Sequence, residues 1–129
     1  MTGFYGNGIA LTEKVLDYLW GRQNLTLNNI ANVDTPNYKS QYLSFEEELE
    51  KRITTARNQQ GSMRSVGHAI SNSYATLHTT AGESSRLDDN NVDMEQEQVE
   101  LVRTTYEYQI MSNSITNELN RLRSAAKSF

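Results

Sequence analysis

Five apolar residues near the end of this chain recur every seven positions: Met94, Leu101, Tyr108, Ile115 and Leu122. A seven-residue apolar repeat keeps one row of side chains on one face of an α-helix and favours a left-handed supercoil with a partner helix. A second row, four residues after each, is Gln98, Thr105, Ser112, Leu119 and Ala126. It is small or polar until Leu119, so this seam makes a weak zipper on its own. Val99, Val102, Tyr106 and Ile110 form another stripe, roughly 140° round the helix at 100° per residue. One partner helix cannot cover both stripes. Capping and charge order agree with one long helix over 92–127. Asp93 and Gln96 are spaced as a capping box, Asp93, Glu95, Glu97 and Glu100 stand at its start, and Arg121, Arg123 and Lys127 at its end. From Asp93 to Ala126 such a helix is about 50 Å long at 1.5 Å per residue.

The rest of the chain has little with which to wrap that helix. Its 129 residues make one domain at most. Leu, Ile, Val and Phe together are about a fifth of the chain, close to the ~20% that marks disordered sequences. The partner helix comes from the first quarter. Ile9, Leu16, Leu19, Leu27 and Ile30 keep to one face, and Val15, Trp20 and Ala31 widen it. This predicts a helix over 9–32 with Thr12 as a candidate cap. Gly21 inside it costs about 1 kcal/mol relative to Ala. Residues 1–8, with Gly3, Gly6, Asn7 and Gly8, read as a flexible lead bearing Phe4 and Tyr5. A turn and connection over 33–44 follow. Ser44 and Glu47 then read as the capping box of a short helix over 45–57, with Phe45, Leu49, Ile53 and Ala56 on its seam. Residues 58–91, rich in Ser, Thr, Asn and Gly, read as a long loop, with a short hairpin around Ser71, Asn72 and Ser73 as an alternative. That loop is long enough to bring the chain back. The expected fold is mainly α: long N- and C-terminal amphipathic helices paired as an antiparallel coiled-coil-like hairpin, with a short third helix and a long irregular middle loop.

Composition narrows the function classes. A net charge of −4 and a pI near 5.1 give no field to attract nucleic acid. No apolar run approaches the ~20 residues of a transmembrane segment, and no basic region followed by an apolar one predicts a cleaved signal peptide. Without cysteine there are no disulfides and no thiolate metal ligands. His68 and His78 lack helical spacing and read as exposed loop residues. Asp89, Asn91, Asp93, Glu95, Glu97 and Glu100 fit a calcium-loop register, but Met94 stands where that loop needs Gly, and the same residues make a better helix start. The remaining carboxylates sit where helix capping explains them. No nucleophile elbow or phosphate loop is present. The expectation is no enzyme, no catalytic residue, no cofactor and no metal.

The stretch Asn28 to Lys39 reads N-N-I-A-N-V-D-T-P-N-Y-K and holds the only proline, Pro36. Proline disfavours the α conformation in the residue before it, so Thr35 should be extended and the first helix should stop upstream. Asp34 and Asn37 are turn formers, and Asn37 tolerates a left-handed backbone. Asn28, Asn29 and Asn32 lie where the last carbonyls of a helix lose their partners. Alone, these residues describe a polar helix end and a turn. In sequence, though, Asn29-Ile30-Ala31-Asn32-x-x-Thr35-Pro36-x-Tyr38-Lys39 closely resembles the N-terminal signature of bacterial flagellar rod, hook and hook-associated proteins, N-[IL]-A-N-x-x-T-P-G-Y. Asn37 stands where many of those proteins have Gly. Asn90-Asn91-Val92-Asp93-Met94-Glu95-Gln96-Glu97 resembles the N-N-V-D-x-x-x-E opening of the last helix in the proximal rod member. The two motifs flank most of the chain, and their combination is specific.

The resemblance implies a structural subunit of the flagellar basal-body rod. In that family the terminal helices pair, and copies stack helically into a hollow drive shaft that transmits torque. It further implies contacts with copies of itself and other flagellar rod proteins, and with the membrane-embedded ring and export-gate adaptor at the rod base. The type III export apparatus would carry the chain, without a cleaved signal, to the rod in the periplasmic space. On this reading Leu16, Leu19, Leu27 and Ile30 meet Met94, Leu101, Tyr108, Ile115 and Leu122 in the helix pair, while Val99, Val102, Tyr106 and Ile110 form an intersubunit stripe. The alternatives are another small rod protein of the same family and a stand-alone cytoplasmic helical-hairpin adaptor.

Overall fold

The computed structural model describes residues 2–59, 61–82 and 86–128. Its elements, in order, are α1 (Thr2–Ala31), β1 (Gln41–Ser44), α2 (Glu46–Gln59), α3 (Met63–Ser71), β2 (Thr76–Thr79) and α4 (Met94–Lys127). The molecule is mainly helical, and its two long terminal helices pack against each other over much of their length. They run antiparallel. Asn29 near the end of α1 bonds Glu97 near the start of α4, and Trp20 lies 6.2 Å, centroid to centroid, from Tyr108. Farther along, Leu11 and Val15 join Tyr108 and Met111 around the core.

The inward face of α4 is turned slightly from the expected one. Leu101, Tyr108, Ile115 and Leu122 are part-buried, as the seven-residue repeat requires. The second row, however, is Glu97, Thr104, Met111 and Glu118, three residues after each apolar position, with Thr104 only 1% exposed. Gln98, Thr105, Leu119 and Ala126, expected there, face solvent. Offsets of three and four both fall on one helix face; the choice between them is made by α1, whose Asn29 takes Glu97 as partner. On α1 itself Leu19 is buried and Leu16 and Ile30 are part-buried, but Leu27 is exposed. Thr26 and Asn29 take the buried positions of that turn. The helix pair therefore closes on polar side chains at this end and on apolar ones at the other.

The buried core is Tyr18, Leu19, Phe45 and Leu49, with Leu11, Val15, Ile53, Ala75, Tyr108 and Met111 packed around it. Tyr18 and Phe45 rings meet at 4.4 Å. Arg22 joins α1 to the start of α2. Its guanidinium lies over the Phe45 ring at 4.7 Å, donates to both Glu46 oxygens at 2.7 and 2.9 Å, and donates to the Leu43 carbonyl. Gly21 allows Leu43 to lie close, since a Cβ there would meet the Leu43 side chain at 3.2 Å.

Several local expectations change. The lead over 1–8 is helical from Thr2, not flexible. Its glycines are compensated by docking on α3, where Asn7 donates to the Met63 carbonyl at 2.7 Å. Thr12 is therefore inside α1 and bonds the Gly8 carbonyl instead of capping. Met1, the side chains of Phe4 and Tyr5, and residues 60 and 83–85 of the expected loop lie outside the described residues. The 58–91 stretch is not one irregular loop. Ser62 caps α3 by accepting from the Ser65 N–H, and β2 pairs with β1. The expected hairpin at Ser71 to Ser73 is the end of α3: Asn72 N–H bonds the His68 carbonyl and the Ser73 hydroxyl bonds that of Ala69. The sheet instead joins distant segments, antiparallel, with Tyr42 opposite His78 and Leu43 opposite Leu77. Ser44 lies in β1 and shares a 2.8 Å hydrogen bond with the His78 ring, so it does not cap α2. His78 also stacks on Tyr42 at 4.9 Å. His68 is exposed but helical. At α4, by contrast, Asp93 accepts from the Glu95 and Gln96 N–H groups, as its spacing predicts.

Candidate functional site

Two motifs more than fifty residues apart in sequence form a single joint. Asn29, 2% exposed, makes four hydrogen bonds. Its amide donates to the Gln41 carbonyl at 2.7 Å and to Glu97 at 3.1 Å. Its carbonyl accepts from the Gln41 N–H and from the Tyr38 hydroxyl. Asn28 donates to that same Tyr38 oxygen at 2.9 Å. Asn32 donates to the Asn28 carbonyl and accepts from the Thr35 hydroxyl. From the other motif Asn90, fully buried, donates to the Asn32 and Thr35 carbonyls at 2.7 and 2.8 Å and accepts from the Val92 N–H. Asn91 accepts from the Ser40 N–H, and Lys39 donates to the Asp89 carbonyl. The last carbonyls of α1 are satisfied locally, by the Asn32 and Val33 N–H groups and the Asn32 amide, while the segment that starts α4 binds the carbonyls of the turn that follows, at Asn32 and Thr35. Buried polar groups satisfied in this way fix one geometry, here that of α4 leaving alongside α1.

Pro36 is exposed at the outer edge of this turn. Asn37 has φ 61°, the left-handed backbone its residue type tolerates, and its N–H bonds the Asp88 carbonyl at 2.6 Å. Asp89 is left-handed too, at φ 57°. Asn37→Gly is expected to be neutral or mildly stabilising, whereas Asn37→Val should cost about 1–2 kcal/mol, because a β-branched residue resists positive φ. Urea unfolding of the two variants checks this; a Val variant as stable as the parent contradicts it.

Glu97 brings a carboxyl into the joint. Burial pushes its carboxyl above the ordinary 4.5, against the Asn29 hydrogen bond, and the neighbouring Glu100 and Asp93 add to the rise. A carboxyl whose folded pKa lies above its unfolded one costs stability at neutral pH, and the cost disappears as pH falls through the folded value. Glu46 behaves oppositely. Burial raises its pKa, but the Arg22 fork and local backbone N–H groups outweigh that and leave it below 4.5. Its contribution is present above the unfolded pKa and lost as pH falls through the folded one. Glu97→Gln retains an acceptor for Asn29. It should be at least as stable as the parent at neutral pH, with a flatter stability profile just above the ordinary carboxylate pKa. Denaturation across pH tests this, and a clear loss at neutral pH contradicts it.

Away from the joint, the outer face of α4 is apolar and open. Val99, Val102, Tyr106 and Ile110 are 65%, 56%, 63% and 62% exposed. Soluble monomers keep such contiguous patches small.

No protein-family model matches the chain. It is, however, 32% identical over 114 residues to the flagellar basal body rod protein FlgB of Borrelia hermsii, an alignment spanning 81% of this chain and 84% of that one. The chain belongs to the FlgB family. FlgB of Escherichia coli is 27% identical over 128 residues, 93% of each chain. FlgB of Bacillus subtilis is 29% identical over 102 residues, 79% of each. As a FlgB-family protein, the chain is a structural subunit of the flagellar basal-body rod.

The structure brings Asn29, Asn32, Thr35, Asn37, Tyr38, Lys39, Asn90 and Asn91 into one network. Ile30 and Ala31 are the last residues of α1, and Val92 is buried beside the joint. Five participants were not marked in the sequence as parts of this joint: Gln41, which trades two bonds with Asn29, Glu97, Asp88, which holds the Asn37 N–H, Ser40, whose N–H bonds Asn91, and Asp89, whose carbonyl takes Lys39. Only Glu97 carried a signal, as the last residue of N-N-V-D-x-x-x-E.

Proposed function

We propose that this rod subunit polymerises through its terminal helices, with copies of itself and with other flagellar rod proteins. Together they form a hollow shaft that transmits torque. The motif joint sets how α4 leaves α1, and the Val99, Val102, Tyr106 and Ile110 stripe is the intersubunit surface. One observation carries this reading. α4 is already closed by α1 on its inner face, yet keeps four large apolar side chains in water on its outer face. Burying each is worth about 1.5–3 kcal/mol, so covering the stripe drives assembly.

The function is mechanical, with no catalytic residue and no cofactor. Carboxylates such as Asp93, Glu97 and Glu46 are engaged in capping, in the joint and in the Arg22 pair. By family, the chain also meets the membrane-embedded ring and export-gate adaptor at the rod base. It reaches the periplasmic space through the type III export apparatus without a cleaved signal. Among the described residues no helix is long and apolar enough to cross a membrane.

The test is fractionation. A tagged chain is expected to copurify with basal bodies, and its deletion to abolish motility. A motile deletion strain, with the tagged chain confined to the cytosol, would overturn the reading in favour of a helical adaptor.

A further inference from the structure

Asn7 and Gly8 form the only Asn-Gly pair in the chain. They lie early in α1, where that helix packs on α3. The Asn7 amide donates to the Met63 carbonyl at 2.7 Å. Its Oδ1 lies against Gly67, where a Cβ would stand only 2.8 Å away. Glycine at position 67 thus leaves room, and the Asn7 carboxamide fills it. Gly8 is different. A Cβ there would meet nothing within 4 Å. Among the described residues no packing requires glycine at position 8, and glycine is a poor helix former. Its consequence there is chemical.

Asparagine is thermolabile because the backbone nitrogen of the next residue can attack its side-chain carbonyl carbon. The Gly8 nitrogen forms a bond to Asn7 Cγ, the Cγ–Nδ2 bond breaks, and the proton of that nitrogen leaves with the amide as ammonia. Water then opens the cyclic imide at either carbonyl and gives aspartate or isoaspartate. Water is the only co-reactant, and nothing is oxidised or reduced. A side chain on the following residue crowds the attack, and glycine has none. The folded chain holds the two reacting groups apart. Gly8 lies past the first turn of α1, so its N–H is spent within the helix. The Asn7 carboxamide is held outward on α3. Either product undoes this contact. Aspartate at neutral pH has no donor for the Met63 carbonyl, and isoaspartate adds a backbone carbon that the helical repeat does not accommodate.

We propose that Asn7–Gly8 is a deamidation site which the α1–α3 contact keeps closed, so that Asn7 converts only in chains whose first helix has come away from α3. The conversion records time spent undocked, and it prevents the same contact from re-forming. Helix ends open more readily than helix centres, and a reaction of the open form follows the open fraction. The test follows the tryptic peptide that ends at Lys14, in which Asn7 is the only amide side chain. The full chain is incubated in warm, mildly alkaline buffer with and without urea, and the peptide's mass and isoaspartate content are followed. Conversion in buffer is expected to be at least about tenfold slower than in urea. Gly67→Ala should bring the buffer rate most of the way to the urea rate. Alanine suits the interior of α3, so that helix stays formed, as circular dichroism would show, and only the seat of Asn7 is lost. Gly8→Ala should slow conversion sharply in both solutions, which locates the reaction. Equal rates with and without urea for the parent chain would overturn the proposal. So would a Gly67→Ala chain that converts as slowly in buffer as the parent, or a Gly8→Ala chain that converts as fast in urea.

Discussion

Val102→Asp and Ile110→Asp are expected to leave the isolated chain folded and to abolish motility. Both side chains are more than half exposed, so the substitutions remove few contacts within the subunit. Surface changes of this kind usually shift stability by no more than about 0.5 kcal/mol. On the proposed reading the same positions face a neighbour in the assembled rod. Each loses about 1.5–3 kcal/mol of apolar burial, and the new carboxylate must be desolvated without a partner. At about 1.4 kcal/mol per factor of ten, either variant should enter basal bodies at least tenfold less than the parent. Expression and export should be unchanged. Immunodetection in purified basal bodies, beside unfolding of the free proteins, separates the two effects. A variant that incorporates normally would remove the stripe from the assembly surface.

Asn90→Ala is expected to act the other way, through the subunit itself. Asn90 is fully buried and joins the Asn32 carbonyl, the Thr35 carbonyl and the Val92 N–H. Truncation leaves the buried Val92 N–H without that acceptor, at about 1–3 kcal/mol, and takes one of two donors from each of the Asn32 and Thr35 carbonyls, at about 0.5–1.5 kcal/mol per hydrogen bond. A total loss of about 3–5 kcal/mol is a large part of the 5–15 kcal/mol that holds an ordinary domain. Asn90→Asp should fare no better, because it sets a carboxylate against two carbonyls. Urea unfolding followed by circular dichroism gives the loss directly. A change below about 0.5 kcal/mol would show that the joint does not hold the two helices together.

The stripe and Asn90 mark what the sequence makes legible. The stripe is a matter of periodicity, and helical phase carries across α4 without knowledge of any neighbour. The same holds for the Asp93 cap, for the stop before Pro36 and for the left-handed Asn37, all local properties of the backbone. The Asn90 bonds are not local. Nothing within the N-N-V-D run says that its first amide will bind two carbonyls of the turn after α1, more than fifty residues earlier. Pairing of Gln41–Ser44 with Thr76–Thr79 is unreadable for the same reason, and with it the use of Ser44 as a partner for His78. The start of α1 was obscured by glycines whose cost is met by docking on α3. Leu27 shows the limit of phase itself: it lies on the expected face, yet the polar pair Thr26 and Asn29 takes the buried position because the joint demands it.

The account holds that α4 presents an apolar face which only assembly covers. A thiol at position 102 tests this most directly, since the chain has no other. Val102→Cys would be treated with a bulky maleimide, both as free protein and in purified basal bodies, with an exposed polar site such as Asn58→Cys as reference. The free chain should react fully at position 102, and the assembled chain should be protected until the basal bodies are dissociated. Equal labelling at position 102 in free and assembled protein would contradict the account.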